Sequence, residues 1–267
     1  MVVFEGVTKE SLQKLKGFSN EKVKTIYEEL RLKKAGVTLV LYTSGKLSVQ
    51  GNAEEVQKAA KELEKQGIGK QVKSELFRKE SGWIIGTDES LKGDTFGGLV
   101  VAGVKADNLL REKLAELGVA DSKTLADTEI LVMAEKIKRL VPCEVRSVLA
   151  DEYNREKNVT TLLNRLHQEC ANYLLPGKHI VDKFPGCSVG DVQEEKAESK
   201  YVEVAAASIL ARAGALQQLD YLSALAGFRI PKGSTHVKLA LFELKERELN
   251  FAKFVKIDFK NVKEFLK

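Results

Sequence analysis

The spacing of apolar positions changes several times along this 267-residue chain, and each change predicts an element. Val23, Ile26, Tyr27, Leu30 and Leu32 recur at intervals that suit one buried face of a helix, with Ser19-Asn20 placed to cap its start. Val37-Thr38-Leu39-Val40-Leu41-Tyr42 and Lys46-Leu47-Ser48-Val49-Gln50 then read as two strands. Between them Thr43-Ser44-Gly45 forms a three-residue hairpin loop whose glycine supplies a positive φ. Asn52 is placed to cap a second helix through Val56, Ala59, Ala60 and Leu63.

Gln66-Gly67-Ile68-Gly69-Lys70 breaks that helical pattern, and a charged stretch over residues 73–80 follows. The expected organisation is a small α+β module over residues 1–70, a linker over 71–80 and a larger domain over 81–267. In the larger part the period switches back and forth. Trp83-Ile84-Ile85-Gly86-Thr87 reads as a buried strand, residues 96–106 pair after it, residues 143–150 add another, and His179-Ile180-Val181 is a further short one. Helices are expected near 127–140, 158–174, 202–218 and 235–247, which gives an α/β domain with a mixed sheet flanked by helices.

Four acids stand at the ends of these apolar elements. Asp88-Glu89 closes the first strand, Asp182 closes the strand before the Pro185-Gly186 turn, and Glu198 precedes the alanine-rich stretch Val204-Ala205-Ala206-Ala207-Ser208-Ile209-Leu210-Ala211. Acids gathered in this way repel each other unless a cation lies between them. Ligands that are all oxygen select hard ions such as magnesium or manganese. Such a cluster suits phosphodiester hydrolysis, in which two ions about 4 Å apart activate a water and stabilise the leaving oxygen. Any one of these acids alone is equally at home as a solvated surface carboxylate.

Several spaced motifs, in order, resemble the type 2 ribonucleases H. They are Asp88-Glu89-Ser90-Leu91-Lys92-Gly93-Asp94-Thr95-Phe96-Gly97-Gly98, Ala120-Asp121-Ser122-Lys123, Val181-Asp182, and Glu198 with Ala205-Ala206-Ala207-Ser208-Ile209. A glutamate at the position of Glu198, together with Ile230-Pro231-Lys232-Gly233-Ser234, Tyr153-Asn154, Asn164 and His167, is similar to the ribonuclease HIII branch; the HII branch normally has aspartate there. The N-terminal module resembles the TATA-box-binding-protein-like domain of that branch, down to Ser44-Gly45-Lys46 and Val49-Gln50-Gly51. The resemblance implies a ribonuclease-H-like catalytic domain that cuts the RNA strand of RNA/DNA hybrids, leaving 5′-phosphate and 3′-hydroxyl ends. Asp88, Glu89, Asp182 and Glu198 would hold two magnesium or manganese ions. Ser90, Leu91, Lys92 and Gly93 would form the substrate loop, whose backbone meets the 2′-hydroxyls that separate RNA from DNA. Ser122 and Lys123 would lie beside substrate phosphates, an ordinary capped loop being the other reading of that segment.

The chain departs from the family pattern within the substrate loop. Leu91 stands where glycine is usual, Gly98 where proline is usual, and Lys92 where threonine is common in the HIII branch. Leu91 puts a side chain where close backbone approach is expected, while Lys92 offers a phosphate contact instead. Two further readings therefore stand beside the first: cleavage at single ribonucleotides in duplex DNA, as in the HII branch, and hybrid binding without catalysis.

Charge sharpens the picture. Residues 1–80 hold 16 Lys and Arg against 11 Asp and Glu, whereas residues 81–267 hold 27 of each. A basic module beside a neutral catalytic part is the footprint of a nucleic-acid grip, although Lys-rich helices are also ordinary solvated faces. His167, His179 and His236 show no two-ligand spacing, and Cys143, Cys170 and Cys187 contain no Cys-x-x-Cys pair, so neither a zinc site nor a disulfide framework is expected. Gly45-Lys46 lacks the rest of a nucleotide-triphosphate loop, and no nucleotide cofactor is indicated. With 43% apolar and 30% charged residues and no apolar run near 18, the expectation is a soluble cytoplasmic monomer without a membrane partner.

Overall fold

Alternation with a period of two governs much of the N-terminal part, because one face of a sheet there is covered by a helix and the other is not. The computed structural model describes residues 2–34, 36–71, 77–78, 80–119, 125–156 and 158–266. The chain divides into two compact units, Met1–Ser74 and Glu75–Lys267.

The first unit contains strands β1 (Val2–Glu5), β2 (Ser19–Glu21), β3 (Glu28–Lys34), β4 (Val37–Tyr42), β5 (Leu47–Gly51) and β6 (Lys70–Gln71), with helices α1 (Lys9–Leu12) and α2 (Ala53–Lys65). The strands form one antiparallel sheet in the order β2-β3-β4-β5-β1-β6. Leu39, Leu41, Leu47, Val49 and Phe4 join Val56, Ala60 and Leu63 of α2 in the core. The Asn52 side chain caps α2 by accepting from Glu55 N–H at 2.9 Å.

The helix expected across residues 19–32 is not formed; β2 and β3 occupy that stretch. Leu30 and Leu32 alternate with Arg31 and Lys33, and this period-two pattern pairs β3 with both β2 and β4. Val23, Ile26 and Tyr27 lie between the strands and are exposed, so their helix-like spacing serves no buried face.

The second unit builds a mixed sheet from β7 (Ile84–Ser90), β8 (Leu99–Ala106), β9 (Cys143–Val148), β10 (Lys178–Asp182) and β11 (Val192–Glu194), in the order β11-β10-β7-β8-β9. β10 runs parallel to β7 and to β11, while β8 is antiparallel to both its neighbours. Helices α3 (Asn108–Glu116), α4 (Asp127–Leu140), α5 (Ala150–Tyr153), α6 (Val159–Leu174), α7 (Val202–Ala226), α8 (Lys238–Glu246) and α9 (Lys260–Leu266) complete it. β8 is buried on both faces and is correspondingly apolar except at Lys105, near its end. Val100, Ala102 and Val104 meet the α7 side of the core, and Leu99 and Val101 meet Leu162, Leu163 and Leu166 of α6.

α7 lies across the centre of the sheet because its first turn comes very close to β7. A side chain at Gly86 would collide with the backbone of Val204, so glycine there sets the approach. Arg111 and the buried Glu203 form an ion pair, and Arg111 also donates to the carbonyls of Glu80 and Gly82. Arg78, expected in the linker, pairs with Glu194 at 2.7 Å within this second unit. Among the described residues no helix is long and apolar enough to cross a membrane.

Candidate active site

Strand register brings the first three acids together. Asp88 and Glu89 are consecutive on β7, near its C-terminal end, and the parallel neighbour β10 pairs Val181 with Thr87. Asp182 is thereby carried to the level of Asp88 on the adjacent strand. Glu198 arrives on a short 3-10 turn, Ala197–Ser199, just before α7. That turn is tied to the cluster directly, since Ala197 N–H donates to Asp182 Oδ1 at 2.8 Å.

The cluster is electrostatically loaded. Burial raises Asp88 well above the usual carboxylate range, the charges of Glu89 and Asp182 raise it further, and hydrogen bonds from Glu89 N–H and Ser208 act against them. Glu89 shows the opposite balance: burial pushes it up, but His167 and Lys92 outweigh burial and leave it lowered. Lys92 Nζ sits 2.9 Å from Glu89 Oε1. His167 Nε2 lies 3.3 Å from Glu89 Oε2, near enough to act through charge but outside hydrogen-bond geometry. Among the described residues, no group of three or more His, Cys, Asp or Glu side chains stands close enough together to hold a metal ion.

Behind the acids runs a chain of polar side chains whose members lie 80 and 92 residues apart in sequence. Thr87 Oγ1 is 2.9 Å from His179 Nε2 and 2.8 Å from His167 Nδ1, and all three residues are buried. Burial holds His179 down to about 4, with His167 acting in the same direction and Asp191 opposing. His179 is therefore neutral near pH 7, and the knot braces the wall against which Glu89 rests.

The segment after β7 is pinned from the far end of the chain. Asp94 Oδ2 accepts from Gly233 N–H at 2.6 Å, and Thr95 N–H donates to Gly233 O at 3.0 Å. The Ile230-Pro231-Lys232-Gly233-Ser234 motif thus acts as a clasp for the segment that follows β7. A shallow cavity beside it is lined by Ser90, Leu91, Asp94, Asp127, Arg212 and Lys232. Ser122 and Lys123 lie outside the described residues. Asn154 and Asn164 are structural: the first holds Ala252 and Val255 carbonyls, the second Gly186 O and Ser188 N–H.

A sequence profile of the family described as Ribonuclease HII matches residues 85–262, the span that carries all four acids and the clasp. The chain belongs to the ribonuclease HII family. Membership makes it a ribonuclease H, an endoribonuclease of RNA/DNA hybrids. It is similar to a protein named Ribonuclease HIII from Exiguobacterium sibiricum, with 33% identity over 234 residues, 78% of this chain and 76% of that one. Among solved structures it is similar to Bst-RNase HIII in complex with Mn2+, at 28% identity and TM-score 0.64, covering 99% of this chain and 97% of the other. RNase H3 from Aquifex aeolicus is similar at 26% identity and TM-score 0.59, covering 97% and 100%.

For a member of the ribonuclease HII family, the unusual loop residues now have physical accounts. Leu91 takes φ 68°, the left-handed conformation that glycine adopts freely, and buries its side chain in the core against Gly97. The leucine therefore points inward, and Gly93 has open space around it. Gly98 donates its N–H to Gln218 Oε1 at 2.7 Å, a bond that proline has no hydrogen to make. Gln218 in turn donates to Ser147 Oγ and Val148 O. Lys92 lies over the Phe184 ring and on Glu89.

Proposed function

We propose that Asp88, Glu89, Asp182 and Glu198 hold two divalent cations, magnesium or manganese, and that the chain acts as a cytoplasmic monomer, cutting the RNA strand to leave 5′-phosphate and 3′-hydroxyl ends. The observation that carries this is the mutual charge of the acids: Asp88 is pushed up by burial and by both Glu89 and Asp182, a strain that a cation between them relieves. The donor set fits a hard ion. It is all oxygen, and Glu89 Oε2 is buried with no hydrogen bond among the described residues. An open arrangement suits magnesium, which keeps several waters and is held by one or two carboxylates together with substrate phosphates.

When bound, the ions supply an activated water and stabilise the leaving oxygen. The chain's own residues do the rest. Thr87, His167 and His179 keep Glu89 in place, and the bond from Ala197 N–H to Asp182 fixes the approach of Glu198. Lys92 pairs with Glu89 at 2.9 Å and would offer its ammonium to a substrate phosphate. The Ser90–Gly93 backbone meets the 2′-hydroxyls of the RNA strand, with Leu91 turned away from it. Ser122 and Lys123 add contacts to phosphates.

The first unit is the substrate-binding domain in this reading. On the sheet face opposite α2, Val3, Tyr27, Tyr42, Ser44, Lys46 and Gln50 line a shallow surface of aromatic, hydroxyl and basic groups. With the positive surplus of residues 1–80, that face suits the phosphates and sugar edges of a duplex. A substrate series tests the proposal. Labelled RNA/DNA hybrid, and a DNA duplex carrying one ribonucleotide, are each incubated with magnesium, manganese or chelator. Metal-dependent cutting of the hybrid is expected; cutting of the single-ribonucleotide duplex alone, or hybrid binding without turnover, would overturn it.

A further inference from the structure

Lys256 stands outside the chemistry described so far, and its surroundings are unusual for a lysine. Its side chain is fully buried, a position lysine takes only when its amino group is satisfied. Nζ donates to the carbonyl oxygen of Leu91 at 2.8 Å and to that of Asp94 at 2.5 Å. The rings of Tyr153 and Phe259 lie 5.2 and 5.1 Å away. The segment that carries the lysine is itself fixed: Lys256 N–H donates to Thr95 O, Val255 bridges Phe96, and Asn154 Oδ1 accepts from Ile257 N–H.

The two carbonyls that Nζ meets are the ends of the turn formed by Leu91, Lys92, Gly93 and Asp94, which closes through Asp94 N–H to Leu91 O at 3.1 Å. Leu91 is left-handed within it. A side chain with a Cβ is strained in that conformation, so the turn needs holding from outside. We propose that Lys256 is a positioning residue for substrate recognition: by bracing the carbonyls of Leu91 and Asp94, its amino group holds the Ser90–Gly93 loop in the backbone conformation that meets the RNA strand. The inference rests on the assignment of that loop to substrate made above.

Burial pushes the amino group down to about 7, with Asp94 opposing, and both the ammonium and the amine have the two N–H bonds that the brace requires. The four acids are fixed by other contacts, on β7, on β10 and on the turn before α7. Losing the brace should therefore weaken capture of the hybrid and leave metal binding and the chemical step in place.

Lys256→Met keeps the length and apolar contacts of the side chain and removes the donors. In the full chain, with labelled RNA/DNA hybrid and saturating magnesium or manganese, KM is expected to rise roughly tenfold, the equivalent of about one or two net hydrogen bonds. Turnover should stay within about threefold, and the half-saturating metal concentration should not move. A folded Lys256→Met with the parent KM overturns the inference, and so does a fall in kcat at unchanged KM or a shifted metal requirement. Lys256→Ala gives a second test that survives poor folding. Propylamine should lower its KM and raise its Tm, whereas tetramethylammonium, a cation without N–H bonds, should do neither; equal effects of the two, or no recovery with the amine, overturn the inference. Failure of the parent chain to cut hybrid at all would instead overturn the functional reading on which it rests.

Discussion

Replacing Thr87 with valine probes the polar knot behind the acids, because it changes shape little and removes one hydroxyl. That hydroxyl has a single proton, so it donates to one imidazole nitrogen and accepts from the N–H of the other. The partners are His179 Nε2 at 2.9 Å and His167 Nδ1 at 2.8 Å, all buried. Thr87→Val leaves one buried donor and one buried acceptor unmet, at about 1–3 kcal/mol each. A total loss of roughly 2–6 kcal/mol corresponds, for a unit of this size, to a fall in Tm of about 5–15 °C. Trp83 is the only tryptophan of the chain and immediately precedes β7, so its fluorescence during urea or thermal unfolding follows this unit. Thr87→Ser keeps the hydroxyl and should lose only about 1 kcal/mol, for the missing methyl. A valine variant within about 0.5 kcal/mol of the parent, or a serine variant as damaged as the valine one, would refute the reasoning.

Three further outcomes are expected. Burial holds the Lys256 amino group down to about 7, with Asp94 opposing, so between that value and the ordinary 10.5 the unfolded chain binds more protons than the folded one. Stability should accordingly rise with pH across this window, by up to about 1.4 kcal/mol per pH unit, and Lys256→Met should remove that slope; equal slopes in parent and variant from pH 7 to 9 would contradict it. Gly98→Pro, which restores the residue usual in the family, deletes the N–H donated to Gln218 and places new atoms against Val148 O, so a loss of about 2–3 kcal/mol is expected in chemical denaturation, and a neutral effect would contradict the account. Tyr42→Ala should weaken hybrid binding in chelator about fivefold by fluorescence anisotropy, with kcat at saturation unchanged, and an unaltered Kd would exclude that sheet face from the interface.

Much of the catalytic unit is legible from its residues, since Ile84 to Thr87 and His179 to Val181 are short apolar runs that end in acid and register follows from burial on both faces. The N-terminal part is less so. Val23, Ile26, Leu30 and Leu32 mimic a helical spacing, and only the sheet partners of β3 show that Leu30 and Leu32 follow a period of two while Val23 and Ile26 are exposed. Leu91 looks from sequence like the loss of a needed glycine, because sequence reports the residue and not its φ; the backbone keeps the left-handed conformation and the core accepts the side chain. Lys256 is invisible to local pattern because its partners lie 162 and 165 residues earlier in the chain. The Thr87, His167 and His179 knot is hidden for the same reason, its members being 80 and 92 residues apart.

Asp182→Asn tests the central claim most directly. Its Oδ1 can still accept from Ala197 N–H, so the fold around Glu198 is kept while one charge is withdrawn from the cluster. On RNA/DNA hybrid with magnesium or manganese, turnover should fall by at least roughly a thousandfold, about 4 kcal/mol of barrier. Circular dichroism and hybrid affinity in chelator should match the parent within about threefold. Turnover within about tenfold of the parent in a folded Asp182→Asn chain would contradict the assignment of Asp182 to the metal site and, with it, the mechanism.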